Sequence, residues 1–194
     1  MNVNFSKDHV FFMSQALRQA QVALEADEVP VGAVVVDPTG TIVARASNQV
    51  KAQGCQIAHA EMLAVQQACK KLGDWRLDGY WVYVTLEPCS MCMNFMKLSR
   101  VAGVVYGAQS PLFGYHLDKN DGVRVYNSNA VEIVGGVLAK KSASLLKQFF
   151  KNKRKKGERF KSVCCCAREN KKGACCTQAG TRGAVDESFN GTDF

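Results

Sequence analysis

One histidine, one glutamate and two cysteines occupy two short segments that together could form a catalytic metal site. His59 and Glu61 are separated by one residue, and Cys89 and Cys92 belong to a Pro-Cys-x-x-Cys segment further along the chain. Zn²⁺ accepts imidazole nitrogen and thiolate sulfur, and three protein ligands leave its fourth position to water, which is typical of catalytic zinc. Glu61 is not needed as a ligand and is free to carry protons for that water. The pattern predicts one Zn²⁺ per chain, bound by His59, Cys89 and Cys92, with Glu61 as the catalytic residue.

The Cys-x-x-Cys segment alone has two other interpretations. It could be half of a closed four-ligand zinc site, or a redox pair in a thioredoxin-like fold. A closed site would require a fourth ligand at ordinary spacing, and the sequence offers no evident one. A redox pair gives no reason for the upstream His-x-Glu. The two motifs together therefore favour the catalytic interpretation.

The same residues carry a resemblance to a known family. His-x-Glu followed by Pro-Cys-x-x-Cys resembles the signature of the zinc-dependent nucleobase deaminases. Over residues 5–157 the chain looks like the bacterial tRNA-specific adenosine deaminases. The matching segments, in order and at similar spacing, are EVPVGA at 28–33, Asn48, AHAE at 58–61, YVTLEPC at 83–89, Met91 with Cys92, VEI at 131–133, and the pairs at 145–146 and 149–150.

The resemblance implies a fold, a reaction and partners. The fold is the cytidine deaminase-like three-layer α/β/α arrangement, with a mixed five-stranded sheet. The reaction is hydrolytic conversion of adenosine to inosine at the wobble position of a tRNA anticodon, with the target base turned out of its stack into the pocket. Asn48 and Ala60 correspond to substrate-binding positions of that family. A homodimer is also implied.

A basic segment near the end of the chain points to a polyanionic partner. Residues 140–161 carry ten Lys and Arg against one Glu, a local charge of +9 in a chain whose net charge is +8. The positive charge is therefore a local patch, which is typical of nucleic-acid binding, although charge runs often only solvate a helix. We expect the anticodon loop of tRNA to contact this region. The candidate residues are Phe149, Phe150, Lys151, Lys153 and Arg154.

Alternating helix and strand patterns must position these residues. A first amphipathic helix is predicted from the helical spacing of Val10, Met13, Leu17, Ala20 and Leu24. Strands are predicted at 32–36 and 41–44 with a turn between them, then at 81–86, 101–106, 123–126 and 131–134. Helices are predicted at 58–71, from Pro88 onward, and from Leu138 into the basic segment. This order indicates a layered α/β domain.

The two catalytic motifs then fall at two helix N-termini. Positive dipole ends and free N–H groups favour thiolates there and could stabilise negative charge developing on a substrate. The two other histidines, His9 and His116, have no ligand spacing and are interpreted as surface or structural residues.

Composition predicts one domain with a tail. We expect a zinc-dependent deaminase domain at 1–157 and a disordered, cysteine-containing tail at 158–194. The first residues lack a secretory pattern, no apolar run approaches the length needed to cross a membrane, and the nine cysteines are unevenly clustered. A cytoplasmic protein that does not enter membranes is expected.

Two departures from the family pattern concern RNA contacts and packing behind the metal. Residues 93–95 are Met-Asn-Phe where the family has small residues, and Gln109 with Ser110 replaces an Arg-Asp pair. Two rival functions also stay open, because the zinc motif does not choose the base. One is a small-molecule deaminase acting on cytosine, cytidine or guanine, and the other is a catalytically weak RNA-binding partner with the deaminase fold.

Overall fold

The computed structural model describes residues 8–117 and 131–155. The predicted strand at 123–126 and the predicted tail at 158–194 lie outside these residues. Along the described chain, five helices, five strands and one 3₁₀ turn follow in the order α1 Asp8–Glu25, β1 Gly32–Val36, β2 Ile42–Ser47, α2 Val50–Gln53, α3 Ala60–Leu72, β3 Trp81–Leu86, α4 Ser90–Leu98, β4 Gly103–Ala108, the turn Tyr115–Leu117, β5 Glu132–Val134 and α5 Ala139–Lys155.

The strands form one mixed five-stranded sheet in the order β2-β1-β3-β4-β5. β1 pairs antiparallel with β2 and β3, whereas β3, β4 and β5 run parallel. The hairpin between β1 and β2 turns at Asp37, whose carboxylate accepts hydrogen bonds from the Thr39 and Thr41 N–H groups, both at 2.9 Å. The predicted hairpin and sheet are confirmed.

Two apolar clusters lie on opposite faces of this sheet, as strand alternation requires. On one face, α3 and α4 pack over Ala33, Val35, Val82, Val84 and Val104. On the other face, α1 packs over Val34, Val36, Tyr83 and Val105, and α5 contacts both α1 and β4. The result is the predicted three-layer α/β/α arrangement, in which α3 and α4 share one face.

The buried face of α1 agrees with the predicted one in part, because Met13 and Ala20 are buried as predicted and Leu17 and Leu24 are half-buried. Val10 is 52% exposed, while the side chains against the sheet are Phe12, Met13, Ala16, Ala20 and Ala23. Helical spacing alone allows two overlapping sets of residues to face the sheet. The set rich in alanine is buried, because small side chains let the helix pack close to the sheet. Helix α1 lies so close to strand β1 that a Cβ on Gly32 would be 2.3 Å from the Ala16 carbonyl oxygen.

Within the described ranges, none of the helices is both long and apolar enough to cross a bilayer.

Candidate metal centre and active site

The candidate metal ligands lie where α3 and α4 begin. His59 is the residue before α3 and Cys89 the residue before α4, and both have extended backbone angles. Neither side chain caps its own helix, so both are available to other partners. Cys92 lies in the first turn of α4 and is buried. The prediction placed His59 and Cys89 inside the first turns, and the structure instead places each at the boundary, still beside the free N–H groups of the helix.

The three ligand atoms are close enough to share one metal ion. His59 Nδ1 lies 3.8 Å from Cys89 Sγ and 3.4 Å from Cys92 Sγ. Tetrahedral Zn²⁺ with ordinary Zn–N and Zn–S bonds would place such atoms roughly 3.5 Å apart. All three atoms lie within 4.8 Å of one another, and in the described part of the chain no other group of three or more such side chains meets that criterion. The donor set therefore fits Zn²⁺.

The orientation of the His59 ring is consistent with this assignment. Its Nδ1 faces the two sulfur atoms, and its Nε2 lies 3.5 Å from the Gln56 side-chain amide. A second partner of this kind orients a ligating imidazole and selects its tautomer.

The two cysteines interact strongly with each other. A hydrogen bond from Cys92, together with one to His59, lowers the pKa of the Cys89 thiol to about 4. The same hydrogen bond, with burial, raises the pKa of Cys92 above its usual value. The hydrogen bond with Cys89 raises the pKa of His59. A cation replaces the shared protons when it binds, since metal ligation needs deprotonated sulfur and neutral imidazole.

Glu61 is buried beside this cluster. The residue is 4% exposed, and burial raises the pKa of its carboxyl group to about 7. A carboxyl group that titrates near neutrality can both accept and return a proton, which is what general acid–base catalysis requires. A bound cation would stabilise the carboxylate and lower this pKa, so that the free base becomes available at neutral pH.

Asn48 is held in place by a residue that the sequence analysis gave no role. Its side-chain amide donates to the buried Glu28 carboxylate at 3.2 Å, and its backbone N–H donates to the Val31 carbonyl at 2.9 Å. Glu28 also accepts hydrogen bonds from the Lys51 and Ala52 N–H groups at the start of α2. The sequence did offer one sign of this role of Glu28: a carboxylate is the first residue of the otherwise apolar segment 28–33.

A backbone hydrogen bond ties the Asn48 loop to the metal segment. The Gln49 N–H donates to the Ala58 carbonyl, one residue before His59, at 3.0 Å. Ala60 is fully buried, backbone included, as the first residue of α3, so a substrate contact by this residue stays a prediction.

The loop after β4 borders the metal centre. An open cavity of about 310 Å³ beside the metal ligand Cys89 has a lining that comes from the start of α4 and from this loop: Cys89, Ser90, Met91, Leu112, Phe113, Gly114 and Leu117. Leu112 and Phe113 are 73% and 75% exposed. No element was predicted from the sequence between the strands at 101–106 and 123–126, so this wall was not identified.

The two departures from the family pattern fall in different environments. Met93 is buried in the core beneath the metal helices. Gln109 is exposed, whereas Ser110 is buried and its N–H donates to Glu87 at 3.0 Å.

The predicted RNA-binding residues on α5 are not equally available. Phe149 is 4% exposed and packs edge to face against Phe150, which is 38% exposed. Lys151 and Arg154 are exposed. Lys153 instead forms an ion pair with Asp27 at 2.8 Å, and its side chain is 12% exposed.

Two of these candidates therefore serve the fold. Phe149 and Lys153 stabilise the packing of α5, and the ammonium of Lys153 also lies 5.6 Å from the Phe149 ring centre. An RNA contact by Phe150, Lys151 or Arg154 stays a prediction.

Comparison with known proteins supports the interpretation of the metal centre. Residues 6–108 match the family model for the cytidine and deoxycytidylate deaminase zinc-binding region. A tRNA-specific adenosine deaminase of Bacillus subtilis is 44% identical over 146 residues, which are 75% of this chain and 90% of the relative. The enzyme of the same name from Agrobacterium fabrum is 39% identical over 151 residues, covering 76% of this chain and 97% of the relative.

Solved structures show the same similarity. A structure from work on A-to-I editing by tRNA deaminases at the wobble position of transfer RNA aligns with a TM-score of 0.64 at 36% identity, covering 70% of this chain and 99% of the other. A guanine deaminase from Nitrosomonas europaea aligns with a TM-score of 0.62 at 26% identity, covering 72% and 83% of the two chains.

Proposed function

The chain belongs to the zinc-binding cytidine and deoxycytidylate deaminase family, and on that premise we propose that it is a tRNA adenosine deaminase that hydrolyses adenosine to inosine. The observation that carries the proposal is the clustering of His59, Cys89 and Cys92 with the buried carboxyl group of Glu61 beside them. Relatives of nearly the same length as residues 1–157 supply the substrate class, because they are named tRNA-specific adenosine deaminases.

Each site residue has a distinct task. His59, Cys89 and Cys92 would hold Zn²⁺, which when bound supplies an activated water. Glu61 takes a proton from that water and passes it to a ring nitrogen of the base. It then moves a second proton, from the hydroxyl group now on C6, to the amino group, which leaves as ammonia as the C6 carbonyl forms. Its burial excludes competing water from these transfers. The N-termini of α3 and α4 favour the negative charge that develops in the pocket.

Substrate binding requires the target adenosine to leave its stack and enter this pocket. Asn48, held by Glu28, is proposed to contact the nucleotide. Phe150, Lys151 and Arg154 on α5 are proposed to contact the anticodon loop, where an exposed ring can support a splayed base and the cations can pair with phosphates.

Three further features belong to the same proposal. The enzyme acts as a homodimer, it acts in the cytoplasm, and residues 1–157 are its catalytic domain with 158–194 as an appended tail. The support is the likeness to bacterial tRNA-specific adenosine deaminases over residues 5–157.

Incubation of the purified protein with total tRNA, followed by mapping of inosine, tests the proposal. We expect adenosine to be converted at the wobble position of one or a few tRNAs. A protein that retains full zinc occupancy and produces no inosine in any tRNA would contradict it.

Guanine deamination is the second candidate function. The observation in its favour is the alignment with a guanine deaminase along most of both chains. Release of ammonia from free guanine, in the absence of RNA, would support this function.

A further inference from the structure

The carboxylate of Glu87 is fully buried, yet it lies only two residues before the metal ligand Cys89. Its partners all come from the loop 110–117. One oxygen accepts a hydrogen bond from the Ser110 N–H at 3.0 Å. The other lies 2.6 Å from His116 Nδ1 and accepts from the His116 N–H at 3.4 Å. A buried carboxylate needs such partners, because removing it from water without them is costly.

The loop also folds directly onto this carboxylate. A Cβ on Gly114 would lie 2.4 Å from a Glu87 carboxylate oxygen and 2.7 Å from His116 Nδ1, so a larger residue does not fit there without movement. The Tyr115 N–H donates to the Pro88 carbonyl at 3.0 Å, which adds a backbone contact next to Cys89.

The same loop forms one wall of the cavity at the metal centre. Leu112, Phe113 and Gly114 line the cavity of about 310 Å³ together with Cys89 and Met91. Leu112 and Phe113 are mostly exposed, so they have few contacts of their own that could fix their position. Their placement therefore depends on the residues at the two ends of the loop, Ser110 and His116, that bind Glu87.

We propose that Glu87 and His116 form a clamp that positions the loop 110–117 as the substrate-facing wall of the active site. Both are positioning residues, since neither is a metal ligand and both act through the loop. The inference rests on the proposed function only in that the substrate is RNA. Breaking the clamp should weaken substrate binding, while Glu61 and the metal ligands continue to perform the reaction.

Three variants of the full chain test the clamp. His116→Ala removes the imidazole, His116→Asn keeps a donor near the position of Nδ1, and Gly114→Ala separates the loop from Glu87 without removing any polar group. His9→Ala is the matched control, because His9 also pairs with a protein oxygen, the Tyr83 hydroxyl at 3.0 Å, on the opposite face of the sheet.

The readouts are zinc content, kcat and KM for an anticodon stem–loop, and hydrogen–deuterium exchange of residues 109–117. For His116→Ala and Gly114→Ala we expect KM to rise about tenfold, the usual effect of losing one charge-assisted hydrogen bond, with kcat changed less than about threefold. Exchange of the loop should accelerate, and zinc content should stay at the wild-type level. His116→Asn should restore most of the KM, and His9→Ala should lower Tm without changing KM.

Two results would overturn the clamp. One is an unchanged KM and unchanged loop exchange in both His116→Ala and Gly114→Ala. The other is an equal change of KM in His9→Ala, which would mean that general destabilisation explains the effect. Failure of the proposed function is distinguishable, because the wild-type protein would then not deaminate the stem–loop, while loop exchange would still report on the clamp.

Discussion

The metal centre and the basic helix α5 are built in opposite ways. At the metal centre, ligands from the starts of two helices converge, and Cys92 and Glu61 are buried there. On α5, the basic residues follow one another along a single helix, and most of them are exposed. The metal centre depends on the entire sheet to bring its ligands together, whereas the basic residues of α5 need only the helix that carries them.

This difference predicts how each region responds to substitution. A metal site with three ligands loses its function when one ligand is lost, because the remaining two bind the cation poorly. Phosphate contacts are separate and similar, so each contributes a small part of the affinity. A single substitution of a metal ligand should therefore abolish activity, whereas each substitution on α5 should lower RNA affinity by a small amount.

The largest effect is expected from removing a metal ligand. Cys89→Ala should abolish both zinc binding and deamination, because His59 and Cys92 alone leave the site incomplete. Metal analysis of the purified protein and an inosine assay measure the two effects. Cys55→Ala is the matched control, since Cys55 is a free and exposed cysteine. A full zinc complement in Cys89→Ala would show that the assignment of the ligands is wrong.

The second effect separates chemistry from metal binding. Glu61→Gln should keep the volume of the side chain and the zinc, while kcat falls by about 10² to 10⁴, the usual contribution of general acid–base catalysis. Single-turnover deamination of an anticodon stem–loop, with zinc content measured on the same sample, checks this. Activity within a few fold of wild type would mean that another residue carries the protons.

A smaller and graded effect is expected on α5. Neutralising Lys151 and Arg154 together should reduce the slope of log affinity against log salt by about 1.4, since each phosphate contact to single-stranded RNA contributes about 0.7. Binding titrations of the stem–loop at several salt concentrations measure the slope, and zinc content should not change.

Lys153→Ala is the matched control on the same helix. It removes one positive charge that is already paired with Asp27, so the salt slope should change little while Tm falls. If Lys153→Ala lowered the salt slope as much per charge as the neutralised variant does, α5 would contribute to RNA affinity through net charge alone.

The smallest effect concerns pH. Hydrogen bonds from Lys153 and Lys51 lower the pKa of Asp27 from 3.8 to about 2. The ion pairs therefore stabilise the folded protein above about pH 4, and this stability is lost as the pH falls towards 2. Because Asp27 is 45% exposed, the contribution is small, and Asp27→Asn should lower Tm by only about 1–3 °C at pH 6.

Thermal unfolding of wild type and Asp27→Asn between pH 6 and pH 2.5 measures this contribution. The two Tm values should converge as the pH falls. A difference that stays constant over this range would contradict the assignment of the effect to the Asp27 carboxylate.

The sequence predicted those elements whose signal is local. Strand β3 was predicted with its observed bounds, because Trp81–Leu86 is a continuous apolar and β-branched run. Strand β4 was predicted two residues early. Val101 belongs to the turn after α4, where its N–H donates to the Met96 carbonyl, and Val101 is indistinguishable from a strand residue by composition.

Contacts between distant residues could not be predicted in this way. Glu87 and His116 are separated by 29 positions, and neither has a periodic pattern that reveals the pairing. Phe149 and Phe150 are chemically identical neighbours, and only the packing of α5 against β4 decides which ring is buried. The metal ligands were predictable because their chemical types are rare and their spacing is fixed by two helix starts.

The most direct test of the account compares substrates on one preparation of the zinc-loaded protein. We measure kcat/KM for ammonia release from a tRNA anticodon stem–loop with adenosine at the wobble position, and from free adenosine, cytidine and guanine. We expect the stem–loop to be preferred over every free nucleoside or base by at least about 10³, because binding contacts outside the pocket are used only by RNA. Efficient deamination of free guanine, with no reaction of the stem–loop, would contradict it.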